Sequence, residues 1–257
     1  MPSPSELPNP IQILLDPLSL AVLALYAGLM LWEWLAPGRT LPHVAGWRTR
    51  SLVVFGLYFG LSSYLPLLWD GALARYRVFD LTSWGLLGGA AVGVLAYELG
   101  VYVWHRAMHG SGLLWRVFHQ MHHSAERLDT YGAFYFSPLD MVGWTLLGSL
   151  VLVVGVGVVP GAATAILLVT AFLGIFQHAN IRTPRWLGYW IQRPESHTVH
   201  HARGVHAFNY SDLPLWDVVF GTFRNPAGYE HETGLGAGAS SRLWEMLTFR
   251  DVSRPAL

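Results

Sequence analysis

Residues 84–109 read WGLLGGAAVGVLAYELGVYVWHRAMH, an apolar stretch that runs directly into His105 and His109. Glu98 is the one charged residue between positions 84 and 104. A helix of about 20 apolar residues crosses the hydrocarbon core of a bilayer, which is about 30 Å thick. The sequence therefore predicts a membrane-spanning helix over residues 84–104, with His105 and His109 at the end where the chain leaves the membrane.

Four other stretches are apolar and long enough, or nearly long enough, to span a membrane: residues 17–36, 51–69, 142–160 and 162–178. Val159, Pro160 and Gly161 separate the last two and predict a tight turn between antiparallel helices. Charged residues make up only 12% of the chain, about half the share in ordinary soluble domains. We predict an all-α integral membrane bundle of about four to five transmembrane helices. Apolar helices buried in a soluble protein are the alternative.

Arginine alone determines the predicted orientation, because the sequence contains no lysine. If every span crosses the membrane, Arg75 and Arg77 lie on one side and the other arginines lie opposite. That second set comprises Arg39, Arg48, Arg50, Arg106, Arg116, Arg127 and the eight from Arg182 to Arg254. The positive-inside rule puts this arginine-rich side in the cytoplasm and the N-terminus outside.

Charge balance and cysteine content exclude several classes of protein. Lys and Arg total 16, as do Asp and Glu, so the formal net charge is zero and no nucleic-acid partner is expected. The chain has no Cys, which excludes disulfide scaffolds, cysteine zinc sites, iron–sulfur clusters and cysteine nucleophiles. A metal site in this chain must therefore use other ligands.

Histidine is concentrated in three short groups. Eight of the 12 histidines form them: His105 and His109; His119, His122 and His123; His197, His200 and His201. Spacings of three and four residues put side chains on one helix face, so each group can direct imidazoles at a common point. At this histidine content the pattern HxxHH is expected roughly 0.03 times by chance. It occurs twice.

His178 is a ninth candidate ligand, because the hairpin of the last two spans returns the chain to the side where the three groups lie. We expect structural roles for His43 and His231. Zinc commonly takes four ligands, so nine imidazoles predict a dimetal site, held in a cytoplasmic helical cap. Imidazole suits zinc, copper, iron and nickel alike. We expect two iron ions, because a membrane site with open metal positions suits redox chemistry on O2.

At these residues the sequence resembles the fatty acid hydroxylase and sterol desaturase superfamily of integral-membrane di-iron oxygenases. The likeness covers roughly residues 95–227. It is carried by YVWHR at 102–106 with His109, HQMHHS at 119–124, SPLD at 137–140, FQHAN at 176–180, HTVHH at 197–201, Asn209-Tyr210, LWD at 215–217 and FGTF at 220–223. The resemblance implies that the eight clustered histidines are the core iron ligands and that His178 is an additional one.

The resemblance also directs attention to polar residues near the histidines. Glu98 stands seven residues before His105, where members often have Asp, and we expect it to orient a ligand imidazole or to pair with an arginine. Asn209 and Asp217, and with them Asp140, are expected to support the ligands or to cap helices and turns. Ser137 stands where many relatives have His, so any ligand role there is lost or moves elsewhere. His206 is the residue that could compensate.

The resemblance implies an O2-dependent monooxygenase that hydroxylates a C–H bond of a lipid, either a fatty acyl chain or a sterol or other isoprenoid. Desaturation of a lipid by the same site is the alternative within the family. A histidine-rich metal transporter is the alternative of another class, although transporters place their ligands near the bilayer midplane. A zinc hydrolase is disfavoured, because the sequence has no HExxH motif.

The expected organisation is a single membrane domain over residues 1–257. It comprises N-terminal membrane spans at 1–95, a catalytic region at 96–227 and a C-terminal tail at 228–257, which the Gly/Ser-rich residues 234–241 are expected to loosen. The spans and ligand segments leave no room for a haem or flavin domain, so we expect a separate ferredoxin or cytochrome, with its reductase, to supply electrons. The expected location is a bacterial plasma membrane, with the endoplasmic reticulum as the alternative.

Overall fold

A computed structural model describes residues 7–253 of the chain. Within those residues it contains no strand, and one isolated bridge pairs Ala202 with Thr233. Its α-helices are α1 (Pro10–Leu14), α2 (Pro17–Leu35), α3 (Trp47–Leu73), α4 (Gly85–Gly110), α5 (Gly112–Leu114), α6 (Gln120–His123), α7 (Pro138–Ser149), α8 (Pro160–Phe176), α9 (Pro194–His200), α10 (Pro214–Val219) and α11 (Leu243–Leu247). Two π-helical segments, Trp115–His119 and Leu150–Val156, precede α6 and extend α7.

Four helical stretches have the length and composition of membrane spans: Pro17–Leu35, Trp47–Tyr76, Thr82–Gly110 and Pro138–Val156. The fifth apolar helix, α8, is shorter, with 17 residues. The first two spans bury few of their residues within the protein, so most of their apolar side chains face outward. The all-α multi-pass architecture with four to five spans is therefore confirmed.

Two spans begin or end away from the predicted positions. The third apolar stretch was expected to end at residue 104, but α4 continues to Gly110 because the first helix-breaking residue after the apolar run is that glycine. His105 and His109 consequently lie on the last turns of one unbroken helix. The fourth span begins at Pro138 rather than 142, because the Ser137 hydroxyl caps its first turn and Pro138 occupies the first helical position.

The turn between the fourth and fifth spans was expected at Val159-Pro160-Gly161 and lies earlier. Gly157 makes it, with φ of +55°, and Pro160 is already the first residue of α8. A Cβ at position 157 would lie 2.7 Å from the Phe79 carbonyl oxygen, in the loop between α3 and α4. The amide nitrogens of Val78 and Phe79 donate to carbonyls at 154 and 155, so both connections meet at one end of the bundle.

The opposite end of the bundle joins α2, α3 and α8 to the histidine region. The Glu33 carboxylate at the end of α2 accepts hydrogen bonds from the Thr130 and Asn180 amides. Trp47, at the start of α3, donates from Nε1 to Asp129. This arrangement positions the segments after α6 and α8 against the membrane helices.

The C-terminal segment was expected to be loose and is packed instead. Met246 and Val252 are buried against Met121 of α6 and Ala125, which follows that helix. The Gly/Ser-rich residues 234–241 allow close approach, since a Cβ at Gly234 would lie 2.9 Å from the Ala125 carbonyl oxygen. The segment therefore covers the helix that carries two of the histidines. Residues 254–257, which include Arg254 of the orientation argument, lie outside the described residues, as do residues 1–6.

Candidate metal centre

The nine histidines singled out in the sequence come together in two adjacent groups. Site one contains His105, His109, His119, His123 and His200; site two contains His122, His178, His197 and His201. Within each site, one nitrogen from every ring lies within 4.8 Å of the others. His43, His206 and His231 belong to neither group among the described residues. The prediction that the nine imidazoles converge is therefore confirmed.

The two HxxHH motifs divide their histidines between the sites in opposite ways. In the first motif, His119 and His123 enter site one and His122 enters site two. In the second, His197 and His201 enter site two and His200 enters site one. Residues four apart thus share a site, while the middle histidine crosses to the other. The expectation that each group points at one place holds for His105 and His109 and is corrected for the two HxxHH motifs, each of which links both sites.

A π-helix positions one of these ligands. At Trp115–His119 the backbone widens by one residue per turn, and the Gln120 amide donates to the Trp115 carbonyl five residues earlier. His119 Nε2 then lies 2.8 Å from His105 Nε2 on α4. π-Helical turns occur often at functional sites. No residue pattern in this segment distinguishes it from an α-helix, so sequence reasoning did not predict it.

Backbone carbonyls set the tautomers of three ligands. The Nδ1 atoms of His105, His178 and His200 lie 2.6–2.7 Å from the carbonyl oxygens of Tyr210, Gly174 and Phe208. A carbonyl oxygen only accepts, so each Nδ1 donates and each Nε2 presents a lone pair to its site. His119 Nδ1 similarly lies 3.2 Å from Asp140 Oδ2. Ligand histidines in metalloproteins are oriented by partners of these types.

The inward nitrogens fit metal ions. Nε2 of His109, His123 and His200 is buried with no hydrogen-bond partner. In site two, Nε2 of His178 lies 3.0 Å from that of His122 and 3.1 Å from that of His197, although its own proton is on Nδ1. Two nitrogens that bind the same metal ion at about 2.1 Å each, with an angle of about 90° between the two bonds, would lie about 3.0 Å apart. The donor set therefore suits two nitrogen-ligated transition-metal ions.

Burial keeps these imidazoles in the neutral form that binds metal. It lowers the pKa of His178 to about 4. Burial, followed by repulsion from neighbouring imidazoles, holds the pKa values of His197 and His201 well below the usual range. The same causes act on the pKa values of His123 and His200. Neutral imidazole is the ligand form, so the site does not need to lose protons to bind metal near pH 7.

One loop, residues 204–210, contacts three of the five candidate ligands of site one. The carbonyls of Phe208 and Tyr210 accept from His200 and His105, and His206 Nδ1 lies 3.0 Å from His123 Nδ1. His206, Phe208 and Asn209 all have positive φ, at 41°, 69° and 49°. Non-glycine residues in this region cost conformational energy and persist where surrounding contacts impose them.

Asn209 and Asp217 hold this loop in place rather than contacting an imidazole. The Asn209 side chain donates to the carbonyls of Ser196 and Arg224 and accepts from the Arg224 amide. The Asp217 carboxylate accepts from the amides of Tyr210 and Ser211. Both residues were singled out in the sequence as supports or caps. Their observed contacts make them positioning residues for the loop.

The predicted role of Glu98 as a partner of an imidazole is wrong. Its carboxylate accepts from Ser211 Oγ and from the amides of Asp212 and Leu213. Seven residues of helix separate it from His105, about 10 Å along the axis, which is beyond hydrogen-bonding reach. Asp140 has the expected role instead, on His119.

Ser137 stands where many relatives have His, and His206 was considered as its replacement. Neither residue belongs to the two sites. Ser137 caps α7 and donates to the Val117 carbonyl, so it is not a ligand. His206 lies beside His123 and outside both sites, so it does not replace the missing ligand.

An apolar cavity of about 760 Å³ ends at the metal centre. Five ligands from both sites line its inner end: His105, His119, His122, His178 and His197. Side chains of α2, α3 and α8 line its walls, including Phe55, Phe59 and Leu167, and it reaches Gln12 and Asp16 near the start of α2. Tyr58, Phe136 and Trp144 also line it. No local pattern distinguishes these aromatic residues from the chain's many others.

Asp212 is another residue that sequence reasoning missed. It lines the cavity and accepts a hydrogen bond from Gln177 at 2.7 Å. Burial raises the pKa of Asp212 to about 7. A carboxyl group that gains and loses a proton near neutral pH therefore lies in the wall of the cavity.

Comparison with known proteins identifies the family. Residues 90–222, just over half of the chain, match the family model described as fatty acid hydroxylase. The chain belongs to the fatty acid hydroxylase family. No solved structure matches this family member.

Several curated relatives of this fatty acid hydroxylase family member are oxidoreductases. It is 32% identical to ornithine lipid hydroxylase OlsE of Rhizobium tropici over 164 residues, 60% of this chain and 47% of the relative. It is 28% identical to alkylglycerol monooxygenase of Danio rerio, over 62% and 32% of the two chains. It is 30% identical to Delta(7)-sterol-C5(6)-desaturase of Nicotiana tabacum, over 53% and 50%. The alignments span half or less of each relative's length.

Proposed function

We propose that this chain is an O2-dependent membrane oxygenase that hydroxylates a C–H bond of a lipid, using two iron ions bound by the nine histidines. The observation that carries the proposal is the cavity, whose inner end consists of imidazoles from both sites. Apolar walls between membrane helices suit an alkyl chain entering from the bilayer, since small-molecule sites are concave and largely apolar. The names of the relatives support lipid chemistry of this class.

The chain's own residues prepare the site for this reaction. Bound iron would supply the oxidising power that an unactivated C–H bond requires. His105, His119 and His200 hold their Nε2 lone pairs inward, because their Nδ1 atoms are engaged by Tyr210, Asp140 and Phe208. Phe136 and Trp144 line the cavity beside the ligands, where their rings exclude water. The substrate carbon would be positioned against the ligands by the shape of this cavity.

Hydroxylation is preferred over desaturation because two of the three relatives named above are oxygen-inserting enzymes by name, a hydroxylase and a monooxygenase. The desaturase among the relatives makes removal of two hydrogens the second outcome to test. A metal transporter is the remaining alternative. It would require the buried histidines to open to both sides of the membrane.

Location, orientation and electron supply complete the proposal. The metal centre faces the cytoplasm of a bacterium from its plasma membrane, in accordance with the arginine distribution. A separate ferredoxin, or a cytochrome with its reductase, delivers the electrons. Fatty acyl lipids are the first substrate class to test and sterols or other isoprenoids the second.

Metal content is the first test. The chain is purified in detergent from iron-replete cells, together with His200→Ala in site one, His122→Ala in site two and His43→Ala as a control. His43 is exposed and belongs to neither site. We expect one iron per site in the wild type and the control, and a loss of iron in both ligand variants. Zinc, or no metal, in all four proteins would contradict the proposal.

Lipid analysis tests the reaction. Lipid extracts of cells that express the wild type are compared with those of cells that express His200→Ala. A product that is heavier by one oxygen atom and absent from the variant is expected. A product that is lighter by two hydrogens would identify a desaturase. No lipid difference, combined with metal accumulation that depends on the chain, would favour transport.

A further inference from the structure

The cavity that ends at the metal centre is long, and its exposed end lies away from the ligands. Its lining residues on α3 run from Phe55 to Leu67, about 18 Å along the helix. The exposed lining residues are Gln12, Asp16, Leu67 and Leu167. This length is close to that of one acyl chain, because two chains end to end fill the roughly 30 Å core of a bilayer. One alkyl chain therefore suffices to fill the cavity.

Four polar side chains interrupt the apolar wall of this cavity: those of Tyr58, Tyr97, Gln177 and Asp212. Asp212 Oδ1 accepts a hydrogen bond from Gln177 Nε2 at 2.7 Å, and a Cβ at Gly174 of α8 would lie 3.8 Å from Asp212 Oδ2. Asp212 interacts electrostatically with Tyr58 and with Tyr97, and the two tyrosines interact with each other. The four side chains therefore share one part of the wall, and we call them the cavity polar site.

The cavity polar site has hydrogen-bonding groups that the protein itself does not use. Within the described residues, neither tyrosine hydroxyl of the site makes a hydrogen bond, although buried tyrosine hydroxyls usually have a partner. Gln177 is buried, and its Oε1 atom also has no partner. Ser62, Ser63 and Thr170 line the same cavity, but their hydroxyls donate to carbonyls of their own helices. The unused donors and acceptors of the cavity polar site can therefore bind a ligand.

This site is close to the candidate ligands of the metal ions. Gln177 directly precedes His178 in the chain. The centroid of the Tyr58 ring lies 5.5 Å from that of the Phe136 ring. The Phe136 ring in turn lies 4.8 Å from the His122 ring. A substrate group bound by the cavity polar site would therefore be only a short distance along the molecule from the carbon that faces the metal centre.

We propose that the cavity polar site binds a hydroxyl group of the lipid substrate and thereby selects which carbon is oxidised. This inference rests on the proposed function. A hydroxyl group both donates and accepts, so it can accept from a tyrosine and donate to Asp212 or to Gln177 Oε1. A plain alkyl chain would leave these polar groups without partners, and sites of this kind discriminate strongly against an analogue that lacks the hydroxyl. The substrate class is a lipid that already carries a hydroxyl group near the carbon to be oxidised.

Water is the other molecule that buried polar side chains of this kind bind. A lipid hydroxyl is favoured here because the rest of the cavity wall is largely apolar and fits the alkyl part of the same molecule. The two occupants predict different results, since a site that only holds water would give no preference for a lipid with a hydroxyl group.

The test measures equilibrium binding of two tritiated probes, 1-dodecanol and dodecane, to the full chain purified in detergent. No reductant is added, so no turnover occurs. The variant is Tyr58→Phe with Tyr97→Phe, which removes two hydroxyls that make no hydrogen bond within the described residues. Tyr76→Phe with Tyr189→Phe is the matched control, because both side chains are exposed and neither lines the cavity. Each probe partitions equally into the micelles of all three preparations, so a difference between proteins reports on the cavity.

We expect the variant at Tyr58 and Tyr97 to bind 1-dodecanol about tenfold more weakly than the wild type, because two hydrogen-bonding groups are lost. Its affinity for dodecane should be unchanged, and the control should match the wild type with both probes. The two single variants, Tyr58→Phe and Tyr97→Phe, provide the same comparison if the double variant does not fold.

Two results would overturn the cavity polar site and leave the proposed function standing. One is equal affinity for 1-dodecanol in the double variant and the wild type, which would indicate bound water. The other is an equal loss of affinity for both probes, because removal of a hydroxyl-binding site should not affect dodecane. If neither probe binds the wild type, the cavity is not a lipid site, and the proposed function fails together with this inference.

Discussion

At the scale of single residues, position in the fold separates histidines that look alike in the sequence. His123 is a candidate ligand, His206 lies against it without entering either site, and His43 is exposed elsewhere. Glu98 and Asp140 show the same separation among carboxylates, since only Asp140 contacts an imidazole. A residue's chemistry depends on which neighbour its polar atoms reach.

His206→Gln tests the contact with His123. Loss of the ring removes the partner at His123 Nδ1, and partners of ligand histidines are worth about 10- to 100-fold in metal affinity. We expect iron at site one to be lost to a chelator at correspondingly lower concentration, while iron at site two is retained. His231→Gln is the control, because His231 lies outside both sites. Equal iron retention in the two variants would show that the contact has no role.

Asp212→Asn tests the titration in the cavity wall. Because burial raises the folded-state pKa of Asp212 to about 7, above its ordinary unfolded value, the neutral form favours folding. That contribution is complete below the unfolded pKa and is lost as pH rises through about 7. Thermal unfolding of the wild type between pH 5 and 8 should therefore show a decline that the variant lacks. A decline of equal slope in both proteins would assign it to other groups.

Among the elements of the fold, irregular segments position histidines that the regular helices alone would not bring together. The π-helix Trp115–His119 places His119 and Trp115, and the loop 204–210 orients ligands through residues 206, 208 and 210. These three contacts place the loop across site one, although three of its residues have positive φ. Hydrogen bonds from the Asn209 side chain to Ser196 and Arg224, which lie outside the loop, hold its strained backbone in place.

Asn209→Ala tests how the loop is held. The substitution leaves the Ser196 and Arg224 carbonyls and the Arg224 amide without this partner, and buried polar groups without partners cost about 1–3 kcal/mol each. We expect a lower thermal midpoint and weaker iron retention at site one than at site two. Asn9→Ala, which removes only the cap of α1, should leave iron retention unchanged. Equal loss from both sites would indicate general unfolding instead.

Gly157→Ala tests the turn at the far end of the bundle. Alanine at φ of +55° is strained, and its Cβ would lie 2.7 Å from the Phe79 carbonyl oxygen. Such a position costs about 1–3 kcal/mol, or roughly 2–4 °C of thermal midpoint per kcal/mol in a protein of this size. Iron content should not change, because the turn lies away from the metal centre. Gly28→Ala, where a Cβ meets nothing within 4 Å, is the control.

At the scale of the whole molecule, the metal centre ties together parts of the chain that are far apart in sequence. Two of its histidines lie on α4 and three lie on the segment that ends in α6. His178 lies just after α8, and the other three come from α9 and the residue that follows it. The C-terminal segment covers this assembly through Met246 and Val252. Bound metal should therefore stabilise the whole cap.

Metal removal tests that coupling. A ligand present at about a thousand times its Kd adds ~4 kcal/mol to stability, which corresponds to roughly 10 °C of thermal midpoint. Treatment of the iron-loaded protein with a chelator should lower the midpoint by about that much, and added iron should restore it. The double variant His200→Ala with His122→Ala should show little response to chelator. An unchanged midpoint in the wild type would show that the cap folds independently of metal.

Local composition and spacing were enough to predict the class of architecture and the set of candidate ligands. Apolar runs such as residues 84–104 are recognised from composition alone, because the bilayer imposes a length and a polarity on any helix that crosses it. The spacing of His197, His200 and His201 is likewise local, since one helix face is set by consecutive residues. The number of imidazoles was enough to predict two metals.

Packing between distant segments determines which histidine belongs to which site, which carboxylate contacts a histidine and where the cavity lies. His200 joins His105 rather than His197, and the carbonyls of Phe208 and Tyr210 in one loop accept from these two imidazoles. The cavity likewise exists only where α2, α3 and α8 meet the histidines. Such contacts join residues far apart in the chain, for example His105 and Tyr210, which are 105 positions apart. Their geometry depends on how whole elements pack, which no local pattern encodes.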